Sequence, residues 1–178
     1  MTMSFNVHDF LKGLSVPEIK DYCRKNTIPA AVAMTHIEGD FNLGTVIRNA
    51  NFFGFREIFY IGGKKSFDRR STVGTHHYTD VTHSKTVEEF FSQINDKYIP
   101  IALENNVNGS YSLFTFSWPR NPIIIIGEEQ SGIPIDIISR CTYLLTIPGY
   151  GSVRSLNAGT ASGIAMSHFR MQHHSINI

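Results

Sequence analysis

The chain has 178 residues, which at ~100–200 residues per domain fits one domain and leaves no room for a second full core. Apolar residues make up 42% and charged residues 17%, and the net charge is 16 − 15 = +1. These figures exclude a disordered chain and any nucleic-acid role resting on bulk charge, so such a role must come from local patches.

The longest purely apolar run, residues 123–126, is far short of the ~18 needed to span a bilayer. The start of the chain lacks the pattern of a secretory signal. Cys23 and Cys141 stand far apart with no C-x-x-C. The expectation is therefore a cytoplasmic protein with no membrane segment, no disulfide framework and no cysteine-based zinc site.

Residues 1–30 read as an N-terminal helical extension. Ser15 followed by Glu18 has the spacing of a capping box, and Ile19, Tyr22 and Cys23 continue at helical spacing. From there the pattern alternates. Residues 31–37 read as a buried strand. Residues 45–53 read as a helix stopped by Gly54, with Val46, Ile47, Ala50 and Phe53 on one stripe. Strands follow at 57–61, 98–103, 122–126 and 142–147. Helices follow at 87–94 and 156–171. The all-apolar segment 122–126 fits a parallel strand covered on both faces. Alternating strand and helix implies an α/β fold with a parallel sheet and helices on both faces. Ligands of such sheets bind beyond the carboxyl ends of the strands, so the informative residues should follow Ile37, Ile61, Leu103, Ile126 and Ile147.

After Ile37, Asn42 and Gly44 open a helix with Arg48 one turn in. A helix N-terminus favours anions, and a guanidinium fork suits phosphate. Alternatively, Asn42 is a plain N-cap and Arg48 a surface partner of a carboxylate. After Ile126, Gly127 and Gly132 bracket Glu128 and Glu129; a tight turn before a helix would read the same way. After Ile147 comes a glycine-rich polar stretch holding Arg154, Ser155, Leu156, Asn157 and Ala158. It lacks the third glycine of a dinucleotide fingerprint, and the chain has neither a Walker A sequence nor a G-x-S-x-G elbow.

Lys64, Lys65, Arg69 and Arg70 surround Phe67 after a strand, which reads either as a phosphate-contacting patch or as solvated surface. His76, His77, His83, His173 and His174 lack the spacing of a helical zinc site, so no metal is expected. Asn108-Gly109-Ser110 matches a glycosylation triplet without a secretory context.

Taken together, the three strand-end segments resemble the motifs of the SpoU family of RNA ribose methyltransferases, in the SPOUT superfamily. The family's N-x-G-x-x-x-R-x-A-x-x-F-G corresponds to Asn42, Gly44, Arg48, Ala50, Phe53 and Gly54. Its G-x-E-x-x-G corresponds to Gly127, Glu129 and Gly132. Its I-P-M-x-G-x-x-x-S-L-N resembles the stretch with Ile147, Pro148, Gly151, Ser155, Leu156 and Asn157. Gly149 replaces the usual Met, and Ala158-Gly159-Thr160 replaces the usual continuation with smaller residues. By that resemblance the chain is expected to do without the large RNA-binding extension of many relatives.

The resemblance implies a SpoU-type methyltransferase domain over residues 31–178, with a C-terminal deep trefoil knot in roughly 122–171. It implies S-adenosylmethionine (leaving as S-adenosylhomocysteine) as cofactor, held by Leu103, Gly127, Ile147, Ser155, Leu156 and Ala158, and no metal. It implies a homodimer packed through the knot and an RNA substrate, tRNA or rRNA. The catalytic set carried over is Arg48, Asn42, Glu129, Ser155 and Asn157. RNA contact is assigned to Arg48, Lys64, Lys65, Arg69, Arg70 and Arg154. A guanidinium with pKa above ~12 is effectively always protonated, so Arg48 is expected to clamp a phosphate and stabilise alkoxide charge rather than act as a base. Asn42 would hold Arg48 or the ribose, and Glu129 would hold Arg48 or the loop. The alternatives are a catalytically weak knotted RNA- or nucleotide-binding protein, and methylation of a base rather than a ribose.

Overall fold

The structure, a computed structural model, describes residues 6–35, 41–63, 68–105, 107–129 and 131–173. Its frame is one sheet of seven strands: β1 Ile28–Thr35, β2 Phe55–Ile61, β3 Val81–Ser84, β4 Ile99–Leu103, β5 Tyr111–Ser112, β6 Pro122–Ile126 and β7 Tyr143–Thr146. They lie in the order β3-β2-β1-β6-β4-β7-β5, and each neighbouring pair is parallel. The helices are α1 Val16–Lys25, α2 Phe41–Phe53, α3 Val87–Ile94, α4 Ile135–Ile138 and α5 Ala158–Gln172.

The central strands are apolar at nearly every position because both faces are covered. Val32, Met34, Ile124 and Ile126 point to the layer holding α2 and α5. Ala31, Ala33, Ile123 and Ile125 point to the layer holding α3 and α4. Ala31 pairs with Ile123 and Met34 with Ile126, so the two alternations stay in phase across β1 and β6. Each isoleucine of β6 is fully or almost fully buried, a contribution of ~1.5–3 kcal/mol per side chain.

At the N-terminus, the Glu18 carboxylate accepts hydrogen bonds from the Ser15 N–H at 2.7 Å and the Ser15 hydroxyl at 2.6 Å. The helix so started buries Ile19. Lys20 and Arg24 on its outer face both reach Asp80, at 2.5 and 2.9 Å.

The structure departs from the sequence reading at several boundaries. β1 begins at Ile28 rather than at 31, and its described part ends at Thr35; residues 36 and 37 lie outside the described residues. α2 begins at Phe41, so Asn42 is an internal first-turn residue and not an N-cap. α5 begins at Ala158 and not at 156, because Asn157 is its N-cap and accepts from the Thr160 N–H at 3.1 Å. Three short elements had no clear periodic signal: β3, the two-residue β5, and α4.

Candidate active site

The loops after β4, β6 and β7 meet at the carboxyl edge of the sheet and enclose a cavity of about 380 Å3. All the residues assigned to the cofactor line it: Leu103, Gly127, Ile147, Ser155, Leu156 and Ala158. Glu129 and Arg154 line it too. Its volume falls within the ~300–1,000 Å3 typical of small-molecule sites.

The floor depends on the absence of side chains. A Cβ on Gly127 would stand 2.3 Å from the Gly132 carbonyl carbon and 2.6 Å from the Ile133 nitrogen. The turn 127–132 is therefore closed glycine against glycine. The Glu128 N–H donates to the Thr35 hydroxyl at 3.0 Å, and the Glu128 carboxylate accepts from Ser131 N–H at 2.8 Å and its hydroxyl at 2.5 Å.

Glu104 and Asn105, which sequence reasoning missed, organise the other wall. The Glu104 carboxylate accepts from Ile133 N–H at 2.9 Å and Asn105 N–H at 3.0 Å. The Asn105 side-chain oxygen accepts from the Thr146 hydroxyl at 2.9 Å and Ile147 N–H at 3.3 Å. Their signal in the sequence was positional: a polar run directly follows a buried strand, where a parallel sheet opens.

Asn157 joins the three motif segments. Its amide donates to the Asn42 side-chain oxygen at 2.8 Å and to the Glu129 carboxylate at 2.5 Å. Asn42 and Glu129 were expected to hold Arg48, or else the ribose and the loop respectively. In this structure the described bonds of Glu129 and Asn42 go instead to Asn157, on the loop that enters α5.

Arg48 lies elsewhere. Its side chain is exposed, makes no ion pair or hydrogen bond among the described residues, and lines a different cavity of about 710 Å3 beside α1. The two cavities share no lining residue. At 100° per residue, six residues carry Arg48 to another face of α2 from Asn42, and ~9 Å along its axis. Ser155 and Arg154 are exposed on the loop before α5 and border the smaller cavity.

Among the other assigned RNA contacts, Lys64 and Lys65 lie outside the described residues. Arg69 is exposed. Arg70 is engaged locally: it donates to Asp68 at 2.5 Å and stacks over the Phe41 ring at 4.9 Å. The Arg70 hydrogen bonds hold the Asp68 carboxyl below its ordinary range.

The replacement by small residues at 158–160 has a packing role. A Cβ on Gly159 would come within 2.7 Å of the Thr45 methyl, and the Gly159 carbonyl accepts from the Asn49 amide at 2.9 Å. Close contact of α2 with α5 is what sets Asn42 beside Asn157. Gly44, in turn, abuts Ser71, whose hydroxyl oxygen lies 1.8 Å from where a Cβ would stand.

The histidines have structural partners. His76 shares a hydrogen bond with the Thr72 hydroxyl at 2.5 Å, His83 with the Gly62 carbonyl at 3.0 Å, and His173 with the Trp118 carbonyl at 3.2 Å. Among the described residues no cluster of His, Cys, Asp or Glu is placed to hold a metal ion; His174 lies outside them.

A parallel sheet whose carboxyl edge carries a polar-rimmed cavity built from three loop segments defines an α/β ligand-binding domain. A family model described as the SpoU rRNA Methylase family matches residues 29–167. The chain belongs to that family. The tRNA (guanosine(18)-2'-O)-methyltransferase of Escherichia coli (strain K12) is 20% identical over 143 residues, covering 79% of this chain and 62% of the relative. The A. aeolicus TrmH/SpoU tRNA modifying enzyme superposes with a TM-score of 0.76 at 17% identity, over 89% of this chain and 82% of that one. The SpoU methyltransferase AviRb from Streptomyces viridochromogenes, in complex with AdoMet, superposes with a TM-score of 0.72 at 20% identity, over 84% and 59%. These likenesses establish the shared fold. The chain spans about three fifths of the length of the Escherichia coli relative, with 62% covered.

Proposed function

We propose that the protein transfers a methyl group from S-adenosylmethionine to a ribose 2′-OH of tRNA or rRNA, acting in the cytoplasm as a homodimer. The observation that carries this reading is the junction of Asn42, Glu129 and Asn157 beside a cavity lined by every residue assigned to the cofactor. The names of the relatives, which include RNA 2′-O-methyltransferases and an AdoMet complex, support it.

The cavity residues fit the cofactor chemically. Leu103, Ile126, Ile147 and Leu156 offer apolar walls for an adenine ring. Glu104, Glu128 and Glu129 face a ligand that carries ammonium and sulfonium charge, and Arg154 suits its carboxylate. When bound, the cofactor supplies a methyl group already activated by a positive sulfur. The residues of the chain then have to position the hydroxyl in line with the carbon–sulfur bond, an arrangement worth ~7–11 kcal/mol. Asn157 and Asn42 would fix the cavity rim against α2, Arg48 would clamp a backbone phosphate, and the hydroxyl would give its proton to water.

The separation of Arg48 from the cofactor cavity supports the dimer. In a pair of chains, Arg48 of one copy serves the cavity of the other. The face of α5 with Ile164 and Met171, beside Phe114, offers an apolar surface for that contact; Phe114 and Met171 are 52% and 74% exposed. The proposed knot lies in roughly residues 122–171, and the proposed N-terminal extension ends before β1, which begins at Ile28. No described helix is long and apolar enough to cross a membrane.

Titration calorimetry with S-adenosylhomocysteine, ATP and NAD tests the cofactor assignment. Binding of the first alone is expected; binding only to ATP or NAD contradicts it.

A further inference from the structure

The cavity of about 710 Å3 beside α1 is lined by residues from 6–27, by α2 and the segment 71–78, and by Arg170 of α5. Among the described residues, no aspartate or glutamate lines it. Arg48 and Arg170 both do, and neither has a partner among the described residues. Asp80, the acid nearest in sequence to the Thr75–Tyr78 lining, is already engaged by Lys20 and Arg24. A hollow with no acid and two unpaired guanidiniums among its described residues selects an anion. The smaller cavity, with three glutamates against one arginine, has the opposite preference.

The other feature is aromatic. Phe52 on α2 is 76% exposed and lines the cavity. Tyr22 lines it from α1, edge-on to Phe10 at 5.5 Å, and Phe10 stacks on His8 at 5.5 Å. Exposed rings next to unpaired cations are the two elements from which proteins hold unstacked nucleotides. Asn6, Asn26 and Asn51 add amide donors and acceptors of the kind that read base edges. The wall is held in place, because the Asn51 amide bridges the Cys23 sulfur at 3.6 Å and the Thr79 hydroxyl at 3.1 Å.

We propose that this cavity is a seat for one unstacked nucleotide of the RNA substrate, with its phosphates on Arg48 and Arg170 and its base between Tyr22 and Phe52. It rests on the RNA methyltransferase reading and extends it: the N-terminal segment is one jaw of the substrate site. The charge, size and aromatic lining favour a nucleotide within a strand, because Arg48 and Arg170 offer two separate phosphate contacts.

The test uses the full chain. Affinity for bulk tRNA and for fragmented rRNA is measured for the wild type, Tyr22→Ala, Phe52→Ala and Arg170→Gln, with S-adenosylhomocysteine affinity and thermal melting as controls. Loss of one stacking ring should weaken binding of the preferred RNA about tenfold and leave the cofactor affinity and the melt unchanged. Arg170→Gln should reduce the slope of log K against log salt by about 0.7, a change that a purely structural role would not produce. Ultraviolet crosslinking of 4-thiouridine-substituted RNA should attach to Tyr22 or Phe52. Wild-type RNA affinity in both ring variants, crosslinks confined to other regions, or tight binding of free nucleoside monophosphates without RNA binding would overturn the seat. Cofactor binding with no affinity of the wild type for either RNA would overturn the RNA reading itself.

Discussion

Replacing Asn157 separates two roles that one side chain plays. Its oxygen caps α5 through Thr160 N–H at 3.1 Å, and its amide bridges Asn42 at 2.8 Å and Glu129 at 2.5 Å. Asn157→Ala removes both functions. The lost cap costs ~1 kcal/mol. The two bridges, at an exposed residue and screened by water, are taken at the low end of ~0.5–1.5 kcal/mol each. The sum is about 2 kcal/mol, or ~4–8 °C in Tm for a chain of this size. Asn157→Ser keeps an oxygen for the cap and loses the bridges, so about half of that drop is expected. Both variants should lose methyl transfer by about 100-fold, because the loop is no longer tied to α2 and misplacement of ~1 Å carries that penalty. Melting curves and single-turnover methylation of RNA measure the two effects. Wild-type turnover in Asn157→Ser, or equal melting points for the Ser and Ala variants, would refute this division of roles.

Three other outcomes follow from the geometry. Gly127→Ala drives a Cβ into the backbone of Gly132 and Ile133, an overpacking cost of ~1–3 kcal/mol; its melting point should fall and no longer rise on adding S-adenosylmethionine. Burial first, with the positive charge of His77 and Arg69 adding to it, lowers the His76 imidazole below its ordinary value. The folded state therefore binds fewer protons than the unfolded one below pH ~6.5. Urea unfolding should show the His76 contribution to stability intact at neutral pH and lost as the pH falls below that value, with a smaller fall in His76→Gln. Mixing Arg48→Ala and Asn157→Ala chains, each inactive alone, should restore roughly a quarter of wild-type turnover if each site draws Arg48 from one copy and Asn157 from the other, as random pairing of two chains gives; sites complete within one chain would give none.

Much of the frame was legible because the strands are buried on both faces. The isoleucines of β6 and the 87–94 helix carry their periodicity openly, and both appear with the expected bounds. The junction of Asn42, Glu129 and Asn157 was legible only as three separate strand-end segments. The bonds between them span 115 and 28 residues, and no local pattern says which donor meets which acceptor. Glu104 was missed because its partner is the Ile133 N–H, a backbone group without a side-chain signature. Gly159 showed in the sequence only as a smaller replacement; its small size admits Thr45 of α2, a partner 114 residues away with no local signal. The position of Arg48 could have been anticipated, since six residues of helix turn it away from Asn42. β5, two residues long, is too short for any alternation to show.

The central claim is tested most directly by incubating the protein with isotopically methyl-labelled S-adenosylmethionine and unmodified tRNA or rRNA, then digesting the RNA to nucleosides for mass spectrometry. The account predicts label in a 2′-O-methylated nucleoside, absent when Asn157→Ala replaces the wild type. Label on a base, or cofactor bound by the protein with no label reaching either RNA, would contradict it.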